Sequence, residues 1–383
     1  MDLNFSEEQI IMRDSVNKLM QKHAPPETIR KLDREQAYPY ELYDVWVEAG
    51  LLKMPFPEQY GGLGGSVIDM AIIARVLSYY SADLSMAYGG SIFCGLNLVR
   101  KGSEEQKRHW LPKLLSGEIK FSISMSEPDA GSDIGAMRTT ARRDGEAWVI
   151  NGQKLWATGA AARNNFINVY VKTDPSAHYR KGMSLFLVDN QTPGVKLRKL
   201  DMLGRRCTGT YEIFFDDVRV PADHLVGGEN RGWEVVLSGL QVERVTSAAG
   251  NCGAAQAVVD LAVQFAKERK QFGRPIGTNQ AIAHMLADMQ TEVEAAHTLM
   301  WRAAWLVATG KEALREITMA KLFASETYAK VANLGMQIMG GYGYNMEFDM
   351  QRHFRDSRAS TIAAGTSQMQ RNLIAGLMGL KVA

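Results

Sequence analysis

Residues 232–272 read GWEVVLSGLQVERVTSAAGNCGAAQAVVDLAVQFAKERKQF, a stretch without proline in which apolar residues recur at three- and four-residue spacing. This spacing predicts one long helix. Residues 278–310 and 313–341 follow the same rule. Because these helices are apolar on more than one face, we expect them to pack against further helices or other subunits.

The chain before this helical region changes character twice. Residues 121–220 contain short β-branched or aromatic runs separated by turn residues, which predicts antiparallel strands, with tight turns at Asp144-Gly145 and Asn151-Gly152. Residues 1–118 are typical of helices, two of which begin with the capping boxes Ser6-Glu-Glu-Gln9 and Ser103-Glu-Glu-Gln106. We therefore predict an α+β multi-domain protein. Its domains are expected at residues 1–118 (helical), 119–229 (β) and 230–383 (helical).

Composition narrows the class of protein. The 383 residues include 44 Lys and Arg against 42 Asp and Glu, so a concentrated basic surface for nucleic acid is not expected. Three widely spaced cysteines make neither a disulfide framework nor a metal cluster, which favours a reducing compartment and no metal. Signal-peptide and membrane-helix patterns are not evident either. These features predict a soluble, cytoplasmic protein with no membrane or nucleic-acid partner.

One polar, glycine-containing loop is the first candidate binding site. Residues 124–133, SMSEPDAGSD, follow a predicted strand and offer hydroxyl and backbone donors to a flat or phosphate-bearing ligand. A plain surface turn would have the same composition. Trp156 and Thr158 place a large ring and a hydroxyl near another strand end, although a lone tryptophan more often lies in the core. The loop is not a dinucleotide fingerprint, because G-x-G-x-x-G and a βαβ pattern are both missing.

Three more polar or glycine-containing interruptions follow in the helical region. They are the helix end Arg269-Lys-Gln-Phe272, the run Gln337 to Gly341, and Gly365-Thr-Ser-Gln368. Each alone has a capping explanation. Together with the loop at residues 124–133, they indicate a ligand site.

Seven stretches of the chain resemble the acyl-CoA dehydrogenase flavoprotein family in both order and spacing. They are PEQYGGLGG, GSEEQKRHWLPKLLSGE, SEPDAGSD, NGQKLWATG, ERKQFGRPIG, QIMGGYGY and GTSQMQR. The resemblance covers almost the whole chain. It implies an N-terminal helical domain, a middle antiparallel β-barrel-like domain and a C-terminal four-helix bundle, usually assembled as a homotetramer.

The resemblance also implies an FAD site and its residues. The isoalloxazine ring would be held by Met125, Ser126, Trp156 and Thr158. Ser132 would lie where FAD and the acyl-CoA substrate meet. A neighbouring subunit would contribute Arg269, Gln271 and Phe272 to the pyrophosphate and adenine side. The rest of the dinucleotide would be held by Gln337, Gly341, Thr366 and Gln368.

The catalytic base is where this chain departs from most of the family. Ala363-Ala364-Gly365-Thr366 stands where the common motif is Tyr-Glu-Gly-Thr, and alanine cannot take a proton. Glu243, directly before Arg244, matches the position of the base in isovaleryl-CoA and long-chain dehydrogenases. A solvated, ion-paired helical residue is the alternative for Glu243. The resemblance implies that Arg244 lies near the acyl-CoA, and that the turn at Ala364 and Gly365 binds the substrate, with the Ala364 N–H donating to the thioester carbonyl.

The resemblance implies α,β-dehydrogenation of a short-to-medium, straight, branched or cyclic acyl-CoA. Glu243, with a raised pKa, would take the α-proton while a hydride leaves the β-carbon for the flavin, and electrons would pass to an electron-transferring flavoprotein. Leu84 stands where glutaryl-CoA members carry an arginine, so a dicarboxylic substrate is not expected. Alternatives are a crotonobetainyl-CoA reductase type, an acyl-CoA oxidase, and a non-catalytic DNA-associated member.

Overall fold

The N-terminal region is helical, as predicted. The computed structural model describes residues 5–381. Both predicted capping boxes are confirmed, since Ser6 and Ser103 each accept a hydrogen bond from the backbone N–H three residues on, and the glutamine there reaches back. The helices are α1 (Glu7–His23), α2 (Pro26–Glu35), α3 (Tyr40–Glu48), α4 (Val67–Tyr80), α5 (Ala82–Lys101) and α6 (Glu104–Leu115).

A mostly antiparallel sheet forms the middle region. Its strands are β1 (Lys120–Ser124), β2 (Thr140–Asp144), β3 (Ala147–Thr158), β4 (Asn165–Lys172), β5 (Met183–Asp189), β6 (Val195–Leu200), β7 (Thr210–Pro221) and β8 (Leu225–Val226), with the short helix α7 (Tyr179–Gly182) before β5. The strand order is β6-β7-β3-β2-β4-β5-β8, and β1 pairs with β4. β1 and β2 run parallel to β4. The sheet is barrel-like but not closed, since β6 and β8 end its path.

One of the two predicted tight turns is wrong. Asp144-Gly145 does connect β2 to β3, but Asn151-Gly152 lies inside β3, where the pairing with β7 shifts register. The Asn151 amide exchanges hydrogen bonds with the side chain and backbone of Asp217 on β7. Gly152 has φ 144°, and a Cβ there would lie 2.6 Å from the Thr139 hydroxyl. This dipeptide therefore forms a bulge, because pairing with a distant strand outweighs its local preference for a turn.

The C-terminal region is a helical bundle. The long helices α8 (Gly232–Glu268), α9 (Gln280–Ala308) and α10 (Leu314–Met339) pack on one another, and a hairpin of β9 (Lys270–Gln271) and β10 (Arg274–Pro275) follows α8. After the short α11 (Gly341–Tyr344) and α12 (Met350–Ser360), helix α13 (Ser367–Leu377) packs on α10 as the fourth member. α8 also packs against α4 and α5. Within residues 5–381, no helix is long and apolar enough to cross a membrane.

The three regions share one apolar core. This core contains Cys94 from α5, Tyr170 from β4 and Val236 from α8, with Met125 and Val242 packed against it. A loop that follows β1 and the first half of α8 are thus held to the same apolar cluster. The candidate site lies at this junction.

Candidate active site

The helices α5 and α8 run antiparallel at the junction, which places Glu243 beside the middle of α5. A Cβ added to Gly239 would lie 2.4 Å from the Asn97 side chain, whereas one added to Gly250 would lie 3.5 Å from the Ser85 hydroxyl. Glu243 is one turn after Gly239. Glu243 therefore lies on α8 between the point where Gly239 meets Asn97 and the point where Gly250 approaches Ser85.

The Glu243 carboxylate lies in a poorly solvated place with cations near it. Desolvation raises its pKa from 4.5 to about 7, and the charges of Arg244 and Lys321 oppose that rise. Burial raises the pKa of Cys94 and of Tyr170, and the Glu243 charge raises both further. The Glu243 side chain is partly buried, and no hydrogen bond to its carboxylate is formed by residues 5–381. This carboxyl group can both hold and release a proton near neutral pH.

A short turn between α12 and α13 carries Ala364 and Gly365. Ala364 has φ 53°, in the left-handed region that non-glycine residues seldom occupy and that is often strained at functional sites. The Lys321 ammonium on α10 donates to the Gly365 carbonyl at 2.7 Å and to the Ser360 carbonyl at 3.2 Å. The Gln370 amide also donates to the Gly365 carbonyl, at 3.1 Å. Both ends of the turn are thus tied to buried side chains.

The four residues predicted to hold the isoalloxazine ring lie on two joined segments. The Lys154 ammonium donates to the Met125 carbonyl at 3.0 Å, and the Leu155 N–H donates to the Ser126 carbonyl at 2.8 Å. Trp156 follows with φ 65° and 54% of its surface exposed, and Thr158 ends β3. The alternative of a core tryptophan is therefore wrong.

A buried ion pair joins the two segments that carry these four residues. The Lys154 ammonium lies 2.8 Å from the Glu127 carboxylate, and both side chains are almost fully buried. Glu127 also accepts from the Thr139 N–H. Burial lowers the pKa of Lys154 to about 8 against the opposing charge of Glu127. Burial alone would raise the pKa of Glu127. The charge of Lys154 and the hydrogen bonds that the Glu127 carboxylate accepts lower this pKa overall. These buried contacts hold the two segments together.

The exposed ring and free polar groups of these segments fit a flavin. Trp156 presents a flat aromatic surface, and the buried Ser124 hydroxyl makes no hydrogen bond with the described part of the chain. Ser132 is exposed at the far end of the same loop. A flat ring system with hydrogen-bonding edges matches this combination of aromatic face, hydroxyls and loop backbone.

The other predicted FAD residues lie in two further places. The Arg269 guanidinium stacks 5.3 Å from the ring of Tyr342, next to Gly341, at one end of the bundle. Phe272 nearby is fully exposed at φ 50°. Gln337 is exposed in the last turn of α10. Within residues 5–381, no hydrogen bond joins this group to the segment from Met125 to Thr158.

The third place is the start of α13. Thr366 caps this helix by accepting from the Met369 N–H at 3.1 Å, and Gln368, two residues later, is exposed. Both directly follow the turn that contains Ala364. The Nε of Arg244 is buried and makes no hydrogen bond with the rest of the described chain. Thr366 and Gln368 thus adjoin the Ala364 turn.

The sequence patterns missed the residues that support the site. Lys154, Glu127, Lys321 and Gln370 are all buried and polar. The only local signal for Lys321 is a lysine among the apolar residues of ITMAKLFAS. Their roles depend on contacts between segments that are far apart in the chain.

Comparison with known proteins gives the family. Residues 6–118, 122–218 and 230–378 match the N-terminal, middle and C-terminal domain models of acyl-CoA dehydrogenase. The chain is 38% identical to the mitochondrial short-chain specific acyl-CoA dehydrogenase of Bos taurus over 90% of this chain and 84% of the relative. It is 36% identical to the caffeyl-CoA reductase-Etf complex subunit CarC of Acetobacterium woodii, over 98% and 99%.

A solved structure of this family has the same fold. A glutaryl-coenzyme A dehydrogenase in complex with glutaryl-CoA superposes with a TM-score of 0.95 at 33% identity, covering 100% of this chain and 98% of that one. The chain belongs to the acyl-CoA dehydrogenase family. It is accordingly an FAD-dependent oxidoreductase acting on CH–CH bonds.

Proposed function

We propose that this enzyme dehydrogenates a short-to-medium acyl-CoA between its α- and β-carbons, with Glu243 as the base. The observation that carries the proposal is a poorly solvated carboxylate with a pKa of about 7, in a chain with alanine at position 364. A base with a pKa near the working pH is best placed to take a proton. Arg244 and Lys321 stabilise its charged form before the substrate enters.

The chain's residues would divide the work on the substrate. Glu243 removes the α-proton, and the Ala364 N–H donates to the thioester carbonyl, where negative charge develops. Arg244, Ser132 and Gly365 bind and orient the acyl-CoA around this point. FAD, when bound, supplies the acceptor for the hydride that leaves the β-carbon.

Residues of α5 would limit the size of the acyl group that the site accepts. Cβ atoms built on Gly89 and Gly90 meet nothing closer than 3.8 Å, so these positions leave room. Tyr88 and Phe93 are buried on the same helix and limit that room. Leu84 is fully buried in the apolar core, where it brings no cation to a distal carboxylate. A monocarboxylic acyl group suits this apolar wall.

The FAD would be shared between subunits. Met125, Ser126, Trp156 and Thr158 form the ring site of one subunit, and the dinucleotide is completed by Gln337, Gly341, Thr366 and Gln368 with Arg269, Gln271 and Phe272 of a neighbour. The exposed rings of Phe272 and of Tyr342, against which Arg269 stacks, support this, because exposed apolar surface that is grouped in one place is typical of a contact surface. We infer a homo-oligomer, a tetramer as in the family, that transfers electrons to an electron-transferring flavoprotein. The subunit named in the caffeyl-CoA reductase-Etf complex supports that partner.

We propose three domains, at residues 1–118, 119–229 and 230–383, with the boundaries that the sequence predicts. They are supported by where the secondary structure changes. α6 ends at Leu115 and β1 begins at Lys120, while β8 ends at Val226 and α8 begins at Gly232.

Reduction of an enoyl-CoA is the second candidate function. It is favoured by the similarity to a caffeyl-CoA reductase subunit over nearly the full length of both chains. The same base, acting in its protonated form, would then return the α-proton. Anaerobic measurement of both directions distinguishes the two. Faster reoxidation of the reduced flavin by an enoyl-CoA than reduction by the matching acyl-CoA favours the reductase.

Glu243→Gln tests the base. Its side chain keeps the size and hydrogen bonding of Glu243 but cannot take a proton, so the rate of flavin reduction by acyl-CoA in stopped flow should fall roughly 10²–10⁴-fold. FAD content and acyl-CoA affinity should stay near those of the parent, since the loss lies in the transition state. Glu234→Gln, an exposed change on the same helix, is the matched control and should behave as the parent does.

A double variant tests whether two positions face the same carbon. Glu243→Gln with Ala364→Glu should recover part of the lost rate. If Glu243→Gln alone is reduced as fast as the parent, another residue is the base and the proposal is wrong.

A further inference from the structure

We propose that Lys321 is a positioning residue that holds the Ala364–Gly365 turn so that the Ala364 N–H meets the thioester carbonyl. This inference rests on the proposed function, in which that N–H stabilises charge on the carbonyl oxygen. Lys321 touches neither substrate nor FAD in this proposal. It acts through the backbone of the turn.

Lys321 makes hydrogen bonds to both ends of the turn. Its side chain is 0% exposed on α10. Its ammonium donates to the carbonyl of Ser360, the last residue of α12, and to the carbonyl of Gly365, just before α13. Both acceptors are backbone atoms on either side of Ala364. One rigid helix thereby sets the distance between the two ends of the turn.

The turn needs such support because its backbone is strained. Ala364 at φ 53° lies in a region that costs a non-glycine residue conformational energy unless its surroundings enforce it. The Ser367 N–H donates to the Thr361 carbonyl, which closes the turn from within. The Gln370 amide provides a second donor to the Gly365 carbonyl. Lys321 is the donor that spans both ends.

An ammonium is costly at this position, which indicates a specific role. Desolvation, with the charges of Arg244 and Arg205, lowers the pKa of Lys321 to about 8, and the charges of Glu243 and Glu326 oppose this shift. A buried cation adds little net stability compared with an apolar side chain of similar size. Its two carbonyl acceptors place the ammonium at the proposed donor turn, and its charge also favours the ionised form of Glu243.

Variants at Lys321 test this inference, together with a control on the same helix. Lys321→Met keeps the length and removes both hydrogen bonds, whereas Lys321→Arg keeps a charged donor. Lys330→Met makes the same change at an exposed position of α10 that pairs with Glu292. Gln370→Leu removes only the second donor to Gly365, and it keeps the test open if Lys321→Met does not fold.

Four measurements on the FAD-loaded protein separate positioning from folding. Stopped flow gives the rate of flavin reduction, and titration gives acyl-CoA affinity. Hydrogen exchange of the amides of residues 361–366 reports the turn itself. A 3-thia-acyl-CoA, whose sulfur cannot release a hydride, stops at removal of the α-proton, and the long-wavelength absorbance of its enolate beside oxidised flavin reports stabilisation of the carbonyl charge.

Lys321→Met should reduce flavin about 10²-fold more slowly, the size of loss expected when a reacting group is misplaced by about 1 Å. Enolate formation should fall in parallel, exchange of the turn amides should rise, and acyl-CoA affinity and FAD content should change less than about twofold. Lys321→Arg should restore part of the rate, Gln370→Leu should show a smaller loss, and Lys330→Met should match the parent.

An unchanged rate and enolate yield in Lys321→Met overturns the inference. So does a slower rate with parental exchange of the turn amides and no rescue by Lys321→Arg, because the effect is then not transmitted through the turn. Failure of the proposed function looks different. Glu243→Gln with the parental rate removes the base assignment alone, whereas a parent that no acyl-CoA reduces removes both.

Discussion

The raised pKa of Glu243 predicts a steep acidic limb in the pH profile of flavin reduction. With a pKa of about 7, roughly 10% of the carboxyl groups are ionised at pH 6 and roughly 90% at pH 8, so the rate should rise about tenfold between these pH values. A glutamate with the ordinary pKa of 4.5 would be almost fully ionised throughout, and the profile would be flat.

The surroundings of the Glu243 carboxyl group explain why its pKa is raised and not lowered. Desolvation beside the apolar core of Cys94 and Tyr170 disfavours the charged form, whereas Arg244 and Lys321 favour it without cancelling the effect. A bound acyl chain removes more water from the carboxylate. The pKa seen at saturating substrate should therefore lie above the pKa seen in the free enzyme.

Anaerobic stopped flow between pH 5.5 and 8.5 measures this profile. Initial flavin bleaching at low acyl-CoA concentration gives a second-order rate constant that reports the free enzyme, and the rate at saturation reports the complex. Glu234→Gln, exposed on the same helix, should retain the parental profile. The acidic limb should vanish from the residual activity of Glu243→Gln.

Two results would refute this reasoning. One is a flat second-order rate constant from pH 6 to pH 8 in the parent. The other is an acidic limb that persists unchanged in Glu243→Gln, since a different group would then be responsible for it.

Three further predictions concern the buried ion pair of Lys154, the open space on α5 and the stability cost of Glu243. Lys154→Met leaves the Glu127 carboxylate buried without its cation, which should cost about 3–5 kcal/mol and lower both the melting temperature and the FAD content, and a parental melting curve would contradict it. Gly89→Leu should fill the open space on α5 and reduce kcat/KM for octanoyl-CoA about 10- to 100-fold more than for butyryl-CoA, whereas equal losses would place the pocket elsewhere. Glu243→Gln should stabilise the protein above pH 7 by up to about 3 kcal/mol but not near pH 4.5, because a folded pKa raised from 4.5 to about 7 costs stability as pH rises through that window. Thermal melts at both pH values check this, and the same difference at each pH would count against it.

Local patterns predicted much of the architecture. The order of helices, strands and helices follows from periodicity, and the capping boxes at Ser6 and Ser103 are satisfied within a few residues of the chain. Asn151-Gly152 shows where such rules end. Its preference for a turn is real, but pairing of β3 with β7 and the contact with Asp217 decide its conformation.

The sequence by itself determined which groups are available for chemistry: a glutamate before Arg244, an alanine at position 364 and an aromatic ring at Trp156. Only the tertiary structure decided their properties. The pKa of Glu243 depends on α5, β4 and α10 packing around it, and the turn at Ala364 depends on Lys321, 43 positions earlier in the chain. Burial and charge act through space, whereas periodicity and capping act between residues a few positions apart. Desolvation of the carboxylate and clamping of the turn therefore arise only once the three regions are packed together.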